Sequence, residues 1–155
     1  MSNSHKVIKF RLGAIEFGAM VSQVASIERL PEVTGVPETA PYIKGVTNLR
    51  GAVMPVIDLR QRLNLPAPAL PVDARMLVVF AGPRQVGLLV DSAHDVIDVS
   101  DQEIERDSVE MSGIRADYLE GVAKVQGGLL VLLRLGEIAM ADANADLVSG
   151  GDVFI

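Results

Sequence analysis

The ten residues from Tyr42 to Gly51, YIKGVTNLRG, return as YLEGVAKVQG from Tyr118 to Gly127. The pairs Tyr42/Tyr118, Gly45/Gly121, Gly51/Gly127 and Leu59/Leu135 share an offset of 76 (118 against 42), with no gap. Upstream, Gly18, Val21 and Ile27 are matched by Gly87, Val90 and Val96 at an offset of 69 (87 against 18). Ordered blocks repeated with one spacer of different length point to a duplicated unit. Each copy is about 60 residues with four or five short β-prone runs, the size of an SH3-like barrel. The expected class is all-β: two SH3-like β-barrels of four or five strands each, related by internal duplication, with short helical turns and a C-terminal helix. The first repeat runs from about residue 7 to 65 and the second from about 75 to 137. Between them lies the Pro-rich PAPALP connector, Pro66 to Pro71, and residues 141–155 form a tail.

Local chemistry fills in the strands. Val7 to Leu12 alternates, Gly13 starts a turn, and a second strand is expected to reach Ile27, with a bulge or bend because Val21, Val24 and Ile27 recur every third residue. Val46 to Leu49 and Ala52 to Leu59 read as a hairpin whose turn is Arg50-Gly51, with Gly51 at positive φ. Both faces of its second strand are apolar until Asp58. Pro55 within it predicts an edge strand or a bulge, since proline donates nothing to a ladder. Gly45, Gly51, Gly121 and Gly127 are read as structural turn positions. Asp58 is a candidate N-cap for a helical turn over Leu59 to Leu63. Ser100-Asp-Gln-Glu103 has the capping-box pattern. The Ala-rich stretch from Glu137 to Leu147 is expected to be helical, and the final SGGDVFI mobile.

The chain's hydrophobic content of 49% supplies a core, while 4% aromatics offers few platforms for stacking nucleic-acid bases. The net charge of −6 is uneven: residues 1–68 hold 8 basic and 5 acidic side chains, residues 69–155 hold 6 and 15. A chain of this charge is repelled by polyphosphate, so nucleic acid is not an expected partner. No apolar run reaches the roughly 20 residues of a membrane helix, and no signal-peptide core or cysteine is present. A cytoplasmic chain without direct membrane insertion is expected.

One cluster has the residue types of a metal or catalytic site: Asp91-Ser-Ala-His94-Asp95-Val-Ile-Asp98. Strand alternation sends Asp91 and Asp95 to one face and His94 and Asp98 to the other, which separates the donors. No nucleophile elbow or phosphate-cradling glycine loop accompanies it. Neither a catalytic residue, nor a metal site, nor a cofactor is expected. A ligand or enzyme domain using this cluster is the reading from another class.

Three motifs in order carry a family resemblance: FRLGAIEFG from Phe10, PYIKGVTNLRGAVMPVIDL from Pro41, and VGLLVD from Val86. Together they resemble the CheW-like domains of bacterial chemotaxis coupling proteins over about Phe10 to Met140. The resemblance implies two five-stranded barrels with a cleft between them. It also implies an adaptor without a catalytic step. Its partners would be the regulatory domain of a CheA-type histidine kinase and the cytoplasmic tip of a chemoreceptor, at membrane receptor arrays. A pilus or surface-sensing pathway is the alternative setting. The protein alone is expected to be monomeric. The implied partner groove comprises Val24, Ile27, Asn48, Leu49, Arg50, Val86, Leu88 and Val90. Arg50 either faces a partner or forms a fork with a carboxylate of the second barrel. The family's acidic V-x-E-I position is here Ser26, with Glu28 following Ile27.

Overall fold

The computed structural model describes residues 3–37, 39–106 and 114–145. In chain order the strands of the first half are β1 (Ser4–Leu12), β2 (Ile15–Met20), β3 (Val24–Arg29), β4 (Ile43–Leu49) and β5 (Ala52–Asp58), followed by helix α1 (Leu59–Arg62). The second half holds β6 (Arg75–Ala81), β7 (Arg84–Val90), β8 (Ser92–Ser100), β9 (Ile104–Glu105), β10 (Leu119–Val125) and β11 (Gly128–Leu133), then helix α2 (Leu135–Ala145). Single 3-10 turns stand at Val21–Gln23, Asp101–Glu103 and Ala116–Tyr118.

The strands form two sheets, ordered β3-β6-β7-β5-β4 and β8-β1-β2-β11-β10-β9. The expected all-β architecture is present, but the repeats and the sheets are different units. Hairpin β1-β2 of the first repeat completes the sheet of β8 to β11, and hairpin β6-β7 of the second completes the sheet of β3 to β5. The second sheet has a sixth strand because two-residue β9 pairs with β10, where the first has only a Thr34–Val46 bridge.

Equivalent positions make equivalent pairings. Parallel ladders join Val56 to Gly87 and Leu132 to Gly18, the same pair at offsets of 76 and 69. Register breaks fall at Ile43/Gly45 and at Leu119/Gly121. Asp58 N–H donates to the Tyr42 carbonyl and Arg134 N–H to that of Tyr118, both at 2.8 Å.

Three apolar layers follow. Met54, Val56, Met76, Val78 and Leu89 fill the five-stranded barrel, and Val7, Val99, Ile104, Ala123, Leu130 and Leu132 fill the six-stranded one. Between them, Phe10, Phe17, Ile57, Leu77, Leu88, Leu133 and Ile138 belong to a larger core shared by both sheets and α2. Each such side chain contributes about 1.5–3 kcal/mol on burial, so the shared core fixes the barrels against each other.

Several local expectations hold, and others are corrected. Asp58 caps α1 by accepting from the Arg60 N–H. The capping box at Ser100 to Glu103 is formed, with Gln102 N–H on the Ser100 hydroxyl and Ser100 N–H on the Glu103 carboxylate. The second strand ends at Met20 rather than reaching Ile27, because the 3-10 turn at Val21–Gln23 carries the chain into the other sheet. Pro55 lies on an inner strand. It is tolerated because it precedes the parallel ladder of β5 with β7, which begins at Val56. Gly45 and Gly121 are strand residues at register breaks, whereas Gly51 and Gly127 occupy hairpin turns at φ of +86° and +94°. Helix α2 starts at Leu135, two residues before the expected Glu137, and runs past 141 to Ala145. The SGGDVFI segment lies outside the described residues. Among the described residues no helix is long and apolar enough to cross a membrane.

Candidate functional site

The β4-β5 hairpin turns in two residues, since Leu49 pairs with Ala52. Such a turn matches the strand twist when both central residues have positive φ. Arg50 stands at +51° and Gly51 at +86°. Glycine takes this conformation freely, but arginine carries a Cβ penalty there. Asn48 steadies the turn by accepting the Gly51 N–H at 2.9 Å. Asn48 is thus a turn cap, and Leu49 is half-buried against the core of the five-stranded barrel.

Arg50 makes a fork, but not across the cleft. Its Nη1 and Nη2 donate to the two carboxylate oxygens of Glu28 at 3.0 and 3.2 Å. Glu28 lies on β3, so the expected partner on the second barrel is corrected to one within the same sheet. Strands β3 and β4 are the opposite edges of that sheet. The fork therefore spans the seam where the sheet closes into a barrel. The seam is also held by paired backbone bonds between Thr34 and Val46, both 2.9 Å, and by the Thr47 hydroxyl donating to the Glu32 carbonyl at 2.8 Å. The Arg50 side chain is 72% exposed and that of Glu28 only 17%. The Arg50 hydrogen bonds, followed by one from the Ser26 hydroxyl, hold the Glu28 carboxyl below its usual range, and the pairing raises Arg50. Ser26, at the family's acidic position, thus helps to lower the pKa of an acid two residues along.

A register break between Val24 and Ser26 explains the three-residue spacing of Val24 and Ile27. Val24 opposes Val79 and Ile27 opposes Leu77, so the bulge returns both to one face of β3. Val24 packs against the shared core, and Ile27 is 39% exposed. The same break recurs on β8, where Ala93 opposes Phe10 and Asp95 opposes Lys9. Val86, Leu88 and Val90 are corrected: all three are fully buried in the shared core and offer no partner surface. Alternation along β7 sends Leu89 into the five-stranded barrel and these three to the other face, which packs against the second barrel. The open surface beside the turn is a groove of about 470 Å³ lined by Pro31, Glu32, Thr34, Val46, Thr47, Asn48 and Val53. Val53 is 63% exposed there.

The second repeat does not copy this site. At the offsets of 69 and 76, Glu28 becomes Ile97 and Arg50 becomes Gln126. Its seam is closed instead by Arg106, which reaches Asp101 at 3.1 Å and Glu120 at 3.4 Å, with His5 on Asp101 at 2.9 Å.

Two arginines absent from the expected site have structural work. Arg60 is 2% exposed, forks onto Asp58 at 3.2 and 3.1 Å, and lies 3.5 Å from Asp91. Asp91 also accepts the Gly13 N–H at 2.9 Å, so the first Asp of the Asp91–Asp98 cluster joins α1 to the β1-β2 turn. Asp98 pairs with Lys6 at 2.9 Å, and among the described residues no cluster of metal-ligating side chains is present. Arg62 lies over both Tyr42 and Tyr118, 5.1 and 5.3 Å from their ring centres, and donates to the Tyr118 hydroxyl at 2.6 Å. Their mismatch with Gly136 and Ile138 in the repeat is the one sequence signal that marks them.

Comparison with known proteins agrees with this geometry. The CheW-like domain matches residues 6–142. Chemotaxis protein CheW of Bacillus subtilis is 39% identical over 150 residues, covering 95% of this chain and 89% of that protein. The Rhizobium meliloti protein of the same name is 32% identical, covering 88% of each. Protein PilI of Pseudomonas aeruginosa is 34% identical over 84 residues, 54% of this chain and 47% of that protein. The scaffolding protein TtCheW of Thermoanaerobacter tengcongensis superposes with a TM-score of 0.82 at 29% identity, covering 88% of this chain and 92% of that one. With a match across both barrels and relatives aligned over most of their length, the chain belongs to the CheW-like family.

Proposed function

We propose that this protein is a non-catalytic scaffold in bacterial chemotaxis, coupling the cytoplasmic tip of a chemoreceptor to the regulatory domain of a CheA-type histidine kinase. It works in the cytoplasm and is recruited to membrane receptor arrays. The observation that carries the reading is the asymmetry of a duplicated fold. Both repeats need their seam closed, yet among the described residues only the first closes it with an exposed fork on an arginine at positive φ. An exposed ion pair adds little stability, and a strained backbone persists where function requires it. Arg50, Ile27 and Val53 around that turn offer a charge and apolar anchors of the kind a helix in a groove uses. The shorter similarity to PilI leaves a non-flagellar pathway as a weaker setting for the same scaffold. Capture of the tagged protein from its native cytoplasm tests the proposal. Co-purification of a histidine kinase and a receptor is expected; recovery of neither overturns it.

A further inference from the structure

Among the described residues, strands within either repeat pair only as local hairpins or, for β9, with the neighbouring β10. Every other ladder joins one repeat to the other: β3 with β6, β5 with β7, β1 with β8, and β2 with β11. Among the described residues, strands β3 and β8 have no partner in their own repeat. The buried Arg60–Asp91 pair, the Gly13–Asp91 bond and the Arg62–Tyr118 bond also cross between repeats. Neither repeat closes a barrel or buries the shared core alone. A single covalent link joins them, the connector after α1, in which Pro66, Pro68 and Pro71 are exposed. Leu65 packs against the shared core and Leu70 against the five-stranded barrel, so the connector passes from one to the other.

From this topology we infer that the repeats are complementary halves for which the connector serves only as a tether, so that a second copy of this chain can supply either half. The resulting dimer contains two native two-barrel bodies, each built from residues 1–65 of one chain and the second repeat of the other. It keeps every ladder and exchanges only the path of the connector. A short tether holds its own half at an effective concentration in the millimolar range, which keeps the wild-type chain monomeric in dilute solution. Removing residues 66–71 shortens its reach by about 20 Å, at 3.3–3.6 Å per residue, and shortened hinges drive this kind of exchange.

The absence of cysteine makes the test direct. Arg29 and Arg75 oppose each other across the β3-β6 ladder and come from different repeats. In the full chain carrying R29C and R75C, a disulfide or short bis-maleimide bridge lies within one chain in the monomer and between chains in the exchanged dimer. Deleting residues 66–71 in this background is expected to give twice the mass of the shortened chain in solution and an interchain bridge on a denaturing gel. A same-length Gly/Ser connector is expected to stay monomeric with an intrachain bridge. A deletion variant that remains a folded monomer overturns the inference, and so does a dimer whose bridges are intrachain, which marks surface association. Should the deletion fail to fold, the R29C/R75C chain with its native connector is refolded from about 1 µM to about 1 mM, bracketing the tether's effective concentration. At least a tenfold rise in interchain bridges is expected, and a flat background overturns the inference.

Discussion

Arg50 and Glu28 stand on opposite edges of one sheet, 22 residues apart, and meet in a two-bond fork at 3.0 and 3.2 Å. The arginine is the exposed member and is held at positive φ. Stability and binding therefore separate at this residue. Arg50→Ala is expected to melt close to wild type, and Arg50→Gly at or above it, because glycine removes the Cβ penalty. Both are expected to bind partners at least tenfold more weakly. Thermal melts run beside calorimetric titration check this; a large loss of melting temperature in Arg50→Gly would assign the fork to structure.

The fork has a defined pH window. Glu28 titrates below its usual value near 4.5, chiefly through Arg50 and then Ser26, so its contribution is complete above that value. It is lost as the pH falls through the lowered one. The stability difference between wild type and Glu28→Gln should be constant from pH 7 to about 5 and shrink below about 4.5. Urea denaturation across that range measures it, and a difference that grows on acidification would contradict the assignment.

Gly45 and Gly121 are equivalent but not equally constrained. A Cβ on Gly45 would sit 1.9 Å from the Thr34 carbonyl oxygen at a φ of +143°, and one on Gly121 would lie 2.7 Å from that of Glu105. Gly45→Val is expected to lose about 3 kcal/mol or more and Gly121→Val about 1–2 kcal/mol. Chemical denaturation decides it, and wild-type stability in both variants would remove the equivalence.

Arg60 is the charge on which the joint between repeats depends. Its loss leaves Asp58 and Asp91 without their buried cation, and breaking a buried pair costs about 3–5 kcal/mol. Arg60→Ala should fall in that range by denaturant unfolding, whereas Arg84→Ala on the exposed end of β7 should stay near wild type. Equal stability of the two variants would show that the buried network is not needed.

The repeat, the turn glycines, the Asp58 cap and the Ser100 capping box were legible because each rests on residues within a few positions of one another. The exchange of hairpins was not. Pairing of β3 with β6 joins residues about 50 apart, and the only local sign is the break at Val21–Gln23, which reads equally as a bend in one strand. The same exchange sets one face of β7 against the second barrel, which is why Val86, Leu88 and Val90 are buried although their motif stands beside the signature hairpin. Arg50 was recognisable as a turn residue with a fork. Its partner was misplaced because closure of a sheet on itself brings Glu28 to the turn, and no spacing rule predicts that.

The central claim is that partners bind at the Arg50 rim of the first repeat and not at its counterpart. Calorimetric titration of a receptor-tip fragment into wild type, Ile27→Ser, Arg50→Ala and Val96→Ser measures it most directly. Ile27 and Val96 are equivalent and comparably exposed, at 39% and 55%. Loss of a true anchor costs about 2 kcal/mol, close to thirtyfold in affinity. The account predicts a loss of that size for Ile27→Ser and Arg50→Ala in folded protein, with Val96→Ser at wild-type affinity. Wild-type binding by both first-repeat variants, or an equal loss in Val96→Ser, would contradict it.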